Sequence, residues 1–110
     1  MAARCLASND LAGDIREVLR INFSQYAVNE NVPVTAIDPG QDFGGPIDFA
    51  LVLGGRIVAV IMLVQNTKRN KRFWGVEKAC TAKGVKLLNF YYRQWFTPEG
   101  ATKYIRRELN

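Results

Sequence analysis

Apolar and polar positions follow two different periods along this chain. Near the start, apolar residues recur at i, i+4, i+7 and i+8, which is the stripe of an amphipathic helix. Ser8, Asn9 and Asp10 are candidate caps, because each offers a side-chain oxygen to the free amides of the first turn. We expect the helix to end near Asn22. Its apolar stripe consists of Leu11, Ile15, Val18 and Leu19.

Three stretches in the middle of the chain have the pattern of strands, and the third is apolar on both faces. A strand of that kind is typical of the centre of a sheet that is covered above and below. Pro33 lies at an edge or irregular point of the first stretch. A Gly54-Gly55 pair predicts a two-residue hairpin turn between the second and third. The predicted strands cover residues 26–37, 47–53 and 57–64, with a loop at 38–46.

A helix, a strand and a last helix complete the predicted elements. Phe73, Val76 and Cys80 share one side of a helix over 73–83, and Gly84 is placed to end it. A strand over 86–92 follows, for which a parallel crossover from the previous strand is the natural connection. Thr97 and Pro98 suit the N-cap and first position of the last helix. The inner face of that helix is predicted to be Ala101, Tyr104, Ile105 and Leu109.

These elements predict one α/β domain over residues 1–110, in the order αβββαβα. The expected architecture is a sandwich with a central mixed sheet flanked by helices. Apolar residues make up 48% of the chain, which is enough for one hydrophobic core. The aromatic run from Phe90 to Phe96 could stack on bases, but alternating aromatics in a strand more often belong to the core.

The residue types that are rare exclude several kinds of chemistry. With no histidine and two cysteines, Cys5 and Cys80, the chain cannot form a closed zinc site or a histidine-based catalytic triad. Any catalysis must therefore use carboxylates, lysine and a hard metal ion. The longest apolar stretch, residues 57–64, is too short for a membrane helix. We expect a cytoplasmic protein with reduced cysteines and no membrane association.

The net charge of +5 is concentrated in a few places. Four cations fall within residues 68–72, and further lysines follow at 78, 83 and 86. A second cluster lies near the end of the chain, at Lys103, Arg106 and Arg107. Basic clusters attract polyanions through counterion release, so nucleic acid is the first partner to consider. The alternative is that these charges only form a solvated surface.

Several segments, in a particular order, resemble a known family. Asp48-Phe49 opens one strand, residues 60–64 read Val-Ile-Met-Leu-Val, and residues 72–77 begin a helix after a polar loop. That helix ends in Ala-Lys-Gly at 82–84, and a Leu-Leu strand follows. From residue 26 to residue 90 the chain resembles the PD-(D/E)xK nucleases. Within them it is similar to short bacterial domains of unknown function related to very-short-patch-repair endonucleases.

The resemblance implies a restriction-endonuclease-like fold and also marks where this chain departs from it. In that family two acidic residues at the ends of adjacent strands hold Mg²⁺, and a lysine two positions further on orients the attacking water. Asp48 matches the first acidic position. Met62 stands where the metal-binding glutamate belongs, Val64 where a further acid or lysine belongs, and Phe73 where an aspartate is expected. We therefore expect no catalytic residues and no metal, unless Asp48 retains residual binding.

An active site could nevertheless have been rebuilt from other residues. Some relatives in the superfamily carry an active-site glutamate or lysine on the following helix. The candidates here are Glu77 and Lys78 with Asp48, and Mg²⁺ would be the cofactor only in that case. Glu17 on the first helix, and Gln65 or Lys68 past the strand, are further candidates. The alternative is that Glu77 and Lys78 are ordinary charges on a solvated helix face.

Three functions remain open from the sequence. The first is a catalytically inactive nuclease-like domain that binds nucleic acid through its basic loop and the following helix. The second is a protein-interaction or inhibitor module of phage or plasmid origin, and the third is a nuclease with a rebuilt active site. DNA and RNA are not distinguished, and the oligomeric state stays open. The predicted nucleic-acid contacts are Lys68, Arg69, Lys71, Arg72, Trp74 and Lys78.

Overall fold

The computed structural model describes residues 10–64, 71–91 and 96–109. Within these residues the chain forms three α-helices, four strands and one short 3₁₀ turn, in the predicted order αβββαβα. The elements are α1 (Leu11–Asn22), β1 (Ala27–Val32), the 3₁₀ turn (Val34–Ala36), β2 (Ile47–Leu53), β3 (Arg56–Val64), α2 (Lys71–Lys83), β4 (Lys86–Tyr91) and α3 (Pro98–Leu109).

The four strands form one mixed sheet in the order β1-β2-β3-β4. β1 and β2 are antiparallel, as are β2 and β3, whereas β4 runs parallel to β3. The central position predicted for the strand that is apolar on both faces is confirmed, because β3 lies between two neighbours. The parallel crossover through α2 is confirmed as well. The architecture is thus a four-stranded mixed sheet flanked by helices.

The hairpin between β2 and β3 closes with the turn that its glycines predict. Leu53 pairs with Arg56, so only Gly54 and Gly55 lie between the strands. Their φ angles are +61° and +78°. A two-residue hairpin turn with positive φ at both positions is the type I′ turn, which glycine adopts without steric cost. This turn sets the register of β2 against β3 next to the turn, and a bulge between Leu51 and Val52 shifts it by one residue further along the strands.

A separate hydrophobic core lies on each face of the sheet. One core packs α1 and α3 against the sheet through residues such as Ile15, Phe49 and Ile105. The other core, which we call the α2-side core, packs α2 and the 3₁₀ turn against the opposite face. Its buried members are Val34, Ile37, Ile47, Ala50, Val60, Met62, Val76, Ala79 and Cys80.

The strand predicted over residues 26–37 is shorter in the structure. β1 ends at Val32, and Pro33 then leads into the 3₁₀ turn that begins at Val34. Proline has no N–H to donate to a strand ladder, which explains why pairing stops there. The turn buries Val34 and Ile37 against α2. The apolar residues after Pro33 therefore serve the core beneath α2 and not an extended strand.

The residues that end the helices agree in part with the capping residues predicted from the sequence. Thr97 caps α3, since its Oγ1 accepts a hydrogen bond from the Gly100 N–H at 3.0 Å. Gly84 follows α2 with φ +69°, the left-handed conformation expected of a terminator. Asp10 occupies the N-cap position of α1 without a side-chain capping bond, and Ser8 and Asn9 lie outside the described residues. None of the helices in the described ranges is long and apolar enough to cross a bilayer.

Candidate functional site

Asp48 and Met62 lie opposite each other at one end of the β2–β3 hairpin. The register pairs Phe49 with Ile61, and continuing it by one residue places Asp48 across from Met62. The sequence predicted that these two residues are neighbours, from the hairpin register through Gly54-Gly55. In the structure a shift of one residue between Leu51 and Val52 brings Asp48 and Met62 into line, since the turn register alone would place Asp48 opposite Ile61. Parallel pairing of Met62 with Asn89 extends the row to β4. Three neighbouring strands thus contribute one residue each to the same row.

Both carboxylate oxygens of Asp48 are engaged by the protein. Oδ2 accepts a hydrogen bond from the Leu63 N–H at 2.7 Å, and Oδ1 accepts one from Arg72 Nη2 at 2.9 Å. The Asp48 side chain is 21% exposed and that of Arg72 is 36% exposed. We call this arrangement the Asp48 corner. It joins the start of β2 to the end of β3 and the first turn of α2.

The residues beside Asp48 are apolar where a metal site would need oxygen ligands. Met62 is fully buried in the α2-side core, and Val64 packs against the same core. A thioether is a poor ligand for a hard cation and valine has no donor atom. The guanidinium of Arg72 already neutralises the Asp48 carboxylate. The donor set of the Asp48 corner therefore does not fit Mg²⁺.

Asn89 is a polar member of this row that the sequence did not single out. Its Oδ1 is buried and has no hydrogen-bond partner among the described residues. The backbone N–H of Asn89 donates to the Tyr104 hydroxyl at 3.3 Å on the outer edge of β4. In the sequence, Asn89 stood out only as a polar residue between Leu88 and Phe90. Polar and apolar residues alternate in many strands, so this pattern indicated no function.

The residues considered for a rebuilt active site are spread over both faces of the sheet. Glu17 lies on α1, across the sheet from α2, where it is exposed and pairs with Arg20. The hydrogen bond from Arg20 lowers the pKa of Glu17. The structure does not bring Glu17 to Asp48. Among the described residues, no cluster of three acidic, cysteine or histidine side chains could hold a metal ion.

Glu77 and Lys78 lie further along α2. Glu77 is five residues beyond Arg72, which corresponds to about 7.5 Å along the helix axis at about 1.5 Å per residue. Glu77 is half-buried and Lys78 is exposed. Both line a surface pocket that the Asp48 corner does not share. Gln65 and Lys68, the remaining candidates, lie outside the described residues.

The predicted nucleic-acid contacts are described in part. We call residues 68–72 the basic segment. Lys68 and Arg69 fall outside the described residues, and Lys71 is the first residue of α2 with its side chain outside the description. Arg72 was predicted to contact nucleic acid. The structure pairs it with Asp48 and leaves 36% of its side chain exposed at the start of α2.

Trp74 is exposed and forms part of an aromatic concavity. Its relative exposure is 51%, and that of Phe43 is 38%. Together with Glu77 and Lys78, these two rings line a depression of about 300 Å³. We call it the aromatic cleft. Phe43 was not predicted as a site residue; the available signal was an isolated aromatic in the glycine-rich loop 38–46.

The loop that carries Phe43 is held against the first turns of α2 by close backbone contact. The Gly45 N–H donates to the Arg72 carbonyl oxygen at 3.0 Å. A Cβ added to Gly75 would lie 2.0 Å from the Phe43 carbonyl oxygen and 2.5 Å from Gly44 Cα. The buried Gln41 also donates from Nε2 to the Phe43 carbonyl at 2.9 Å. These contacts fix Phe43 beside Trp74.

Two other features of the surface differ from the aromatic cleft. The second basic cluster lies on α3, across the sheet from α2, where Arg106 and Arg107 stack over Phe23 and Tyr104. A larger cavity of about 440 Å³ lies between β4 and the start of α3. None of its described lining residues is charged.

Comparisons with protein-family models, curated proteins and solved structures found no match to this chain. The resemblance to nucleases therefore stays a prediction from the sequence.

Proposed function

We propose that this chain is a catalytically inactive domain with a restriction-endonuclease-like fold that binds nucleic acid. Binding would use the basic segment and the first turns of α2. The observation that carries the proposal is the Asp48 corner, where a carboxylate in the nuclease position is ion-paired with Arg72 beside the buried Met62. An internal guanidinium beside the carboxylate supports a role without metal-dependent cleavage.

The cations and the exposed aromatic ring near the start of α2 favour nucleic acid as the partner. The basic segment runs into the start of this helix at Lys71 and Arg72, and Lys78 lies exposed one turn beyond Trp74. Cations next to exposed aromatic rings are typical of surfaces that contact phosphates and bases together. The excess of positive charge, +5 over the chain, favours the same class of partner.

The binding test replaces the cations whose loss leaves the Asp48 corner intact. A Lys68→Ala/Arg69→Ala/Lys71→Ala variant retains Arg72, because removing Arg72 would also unpair Asp48. We expect weaker binding to every oligonucleotide, with the slope of log K against log salt reduced by up to about 2.7 on duplex DNA. Gel-shift titrations between about 50 and 200 mM salt measure this slope.

A matched control comes from the opposite end of α2. Lys83 and Lys86 are exposed and lie near Ala59, at the start of β3, whereas α2 begins near the end of β3. A Lys83→Ala/Lys86→Ala variant should change the salt slope much less than the triple variant does. Absence of any oligonucleotide binding by the unmodified protein at low salt would refute the proposal.

Cleavage is tested separately with the same protein. We expect no cutting of DNA or RNA with Mg²⁺ or Mn²⁺, because Met62 and Val64 supply no oxygen ligands. Cleavage that is abolished by Asp48→Ala or by Glu77→Ala would instead establish a rebuilt active site. Cleavage that survives both substitutions would identify a contaminating nuclease.

A protein partner is the second candidate, and the exposure of Trp74 and Phe43 favours it. Tryptophan and arginine are enriched at the centres of protein interfaces. In that case replacing Trp74 would abolish capture of one specific protein, and oligonucleotide binding would be weak before and after. Pull-down from the native host, with and without nuclease treatment, separates the two candidates: a nucleic-acid-mediated association is lost on treatment and a direct one persists.

A further inference from the structure

The two aromatic side chains of the cleft are exposed, 38% for Phe43 and 51% for Trp74, although folding normally buries such apolar surface. Trp74 lies on the second turn of α2 and Phe43 on the loop that packs against it, so the two rings come from segments far apart in sequence. Neither ring belongs to the hydrophobic cores on the two faces of the sheet. The cleft volume of about 300 Å³ is at the small end of ligand sites, suited to a single planar group.

The support beneath the cleft is rigid. Gly44 and Gly75 bring the backbones of loop and helix into direct contact, closer than any side chain would allow. The hydrogen bond from Gly45 to Arg72 ties the loop to the same helix that carries Trp74. A planar ligand would therefore meet Phe43 and Trp74 already in place, and little conformational entropy would be lost on binding.

The residues that line the cleft combine aromatic surface with a cation. Phe43 and Trp74 provide the exposed rings, and the exposed Lys78 lies on the same wall. An apolar surface beside a cation matches a nucleotide whose base enters the cleft while its phosphate meets Lys78.

A base can stack in the aromatic cleft only if its own face is not covered by a neighbouring base. In a duplex both faces of each base are covered by stacking, and proteins reach only the edges in the grooves. Unpaired bases stack on exposed aromatic side chains, and this mode tolerates any sequence. Resting on the nucleic-acid-binding function proposed above, we propose that the aromatic cleft stacks an unpaired base and makes the domain selective for single-stranded over duplex nucleic acid.

The test compares a labelled oligothymidylate, an oligouridylate of equal length and a duplex by fluorescence anisotropy. We expect both single strands to bind more tightly than the duplex. Trp74→Ala should weaken single-strand binding about 5- to 150-fold, the range for loss of one stacked base, and should change duplex binding little. Trp74→Phe should retain most of the affinity because the ring face is kept.

A direct signal of stacking comes from tryptophan fluorescence. The chain contains two tryptophans, so in a Trp95→Phe background Trp74 is the only reporter. Single strands should quench its emission, and duplex of equal length should not. Leu53→Ala, which removes an exposed apolar side chain at the hairpin turn, is the matched control and should leave affinity unchanged.

The outcomes distinguish failure of the stacking proposal from failure of the nucleic-acid binding on which it rests. Equal affinity for single strands and duplex, unchanged by Trp74→Ala but weakened by the triple variant of the basic segment, would overturn the stacking proposal and leave nucleic-acid binding standing. Failure of every oligonucleotide to bind would overturn both. A loss confined to single strands in Trp74→Ala, rescued by Trp74→Phe, would support both.

Discussion

The Asp48 corner and the aromatic cleft meet at the start of α2 but use their side chains in opposite ways. At the corner, the carboxylate and the guanidinium bind each other and a backbone N–H, next to a fully buried methionine. In the cleft, Trp74 and Phe43 expose aromatic surface that the protein does not cover. The corner satisfies its polar groups internally, whereas the cleft leaves binding surface open.

The geometry of one helix explains how the two regions can differ so sharply. Arg72 and Trp74 are two residues apart, which places them about 200° apart around the helix. Arg72 therefore points toward the sheet end where Asp48 lies, while Trp74 points toward the loop and solvent. The difference teaches that neighbouring residues of one helix turn can serve the internal packing of the fold on one side and leave an aromatic surface exposed on the other.

The largest expected effect comes from placing a glutamate at Met62, where the resemblance to nucleases implies an acidic residue. Met62→Glu places a carboxylate among apolar side chains of the α2-side core, where Asp48 is already neutralised by Arg72. We expect the free energy of unfolding at neutral pH to fall by about 3–5 kcal/mol. Burial would raise the pKa of the new carboxyl, so the loss should be smallest in acid and grow as pH rises. Chemical denaturation at several pH values measures it.

Met62→Leu is the control for this substitution, because it conserves volume without charge and should cost less than about 1.5 kcal/mol. A Met62→Glu variant as stable as the original, and further stabilised by Mg²⁺, would contradict our view of the Asp48 corner. It would mean that the corner still accommodates a metal once its second carboxylate is returned.

The next effect concerns the thiol at the base of the α2-side core. Cys80 is buried, and burial raises the pKa of its thiol from 9.0 to about 12. Only the thiolate reacts with electrophiles, so at pH 8 a Cys5→Ser variant should be alkylated about a thousandfold more slowly when folded than in denaturant. Rapid modification of the folded protein would show that α2 opens readily and that the support beneath the cleft is not rigid.

A smaller effect on stability is expected at Gly75, where the loop that carries Phe43 packs against α2. The methyl group added by Gly75→Ala would clash with the Phe43 carbonyl oxygen and with Gly44, so the loop must shift away from α2. We expect a loss of about 1–3 kcal/mol in the free energy of unfolding, typical of overpacking, together with weaker single-strand binding. Gly40→Ala is the control in the same loop, since its Cβ would make only ordinary contact at 3.5 Å with Asp38. Equal stabilities of the two variants would show that the loop is not clamped.

Most of the fold could be predicted because its signals are local. The alternation of residues 47–53 and the Gly54-Gly55 pair predicted β2 and its turn to the residue, and Thr97-Pro98 predicted the start of α3. Hydrophobic period and turn chemistry depend on neighbours in sequence. The boundary of β1 was wrong because Pro33 ends the strand and the apolar residues after it fill the core under α2.

The candidate site was only partly predictable, because its decisive contacts join distant residues. The resemblance predicted Asp48 beside Met62, but the sequence did not indicate the bulge between Leu51 and Val52 that brings them into line. Nor did a run of basic residues indicate that Arg72 would pair with a carboxylate 24 positions earlier. The approach of Gly44 to Gly75, which makes Phe43 part of the cleft, depends on how a loop packs on a helix. Such contacts leave no periodic pattern in the sequence.

The smallest predicted effect tests the ion pair that distinguishes the two regions. We expect Arg72→Ala to lower the free energy of unfolding by about 1–2 kcal/mol, because among the described residues it leaves the partly buried Asp48 carboxylate with only the Leu63 N–H as partner. Asp48→Asn removes the charge but can still accept from Leu63, so a double-mutant cycle of the two isolates their interaction. The Glu17–Arg20 pair on α1 is the matched control, since both its side chains are more than half exposed and solvent screening should make its coupling clearly smaller. A coupling at the Asp48 corner as small as that of the exposed pair would mean that Arg72 is held only loosely. It would then count as a further cation for nucleic acid beside the aromatic cleft, and the division between a structural corner and a binding cleft would no longer hold.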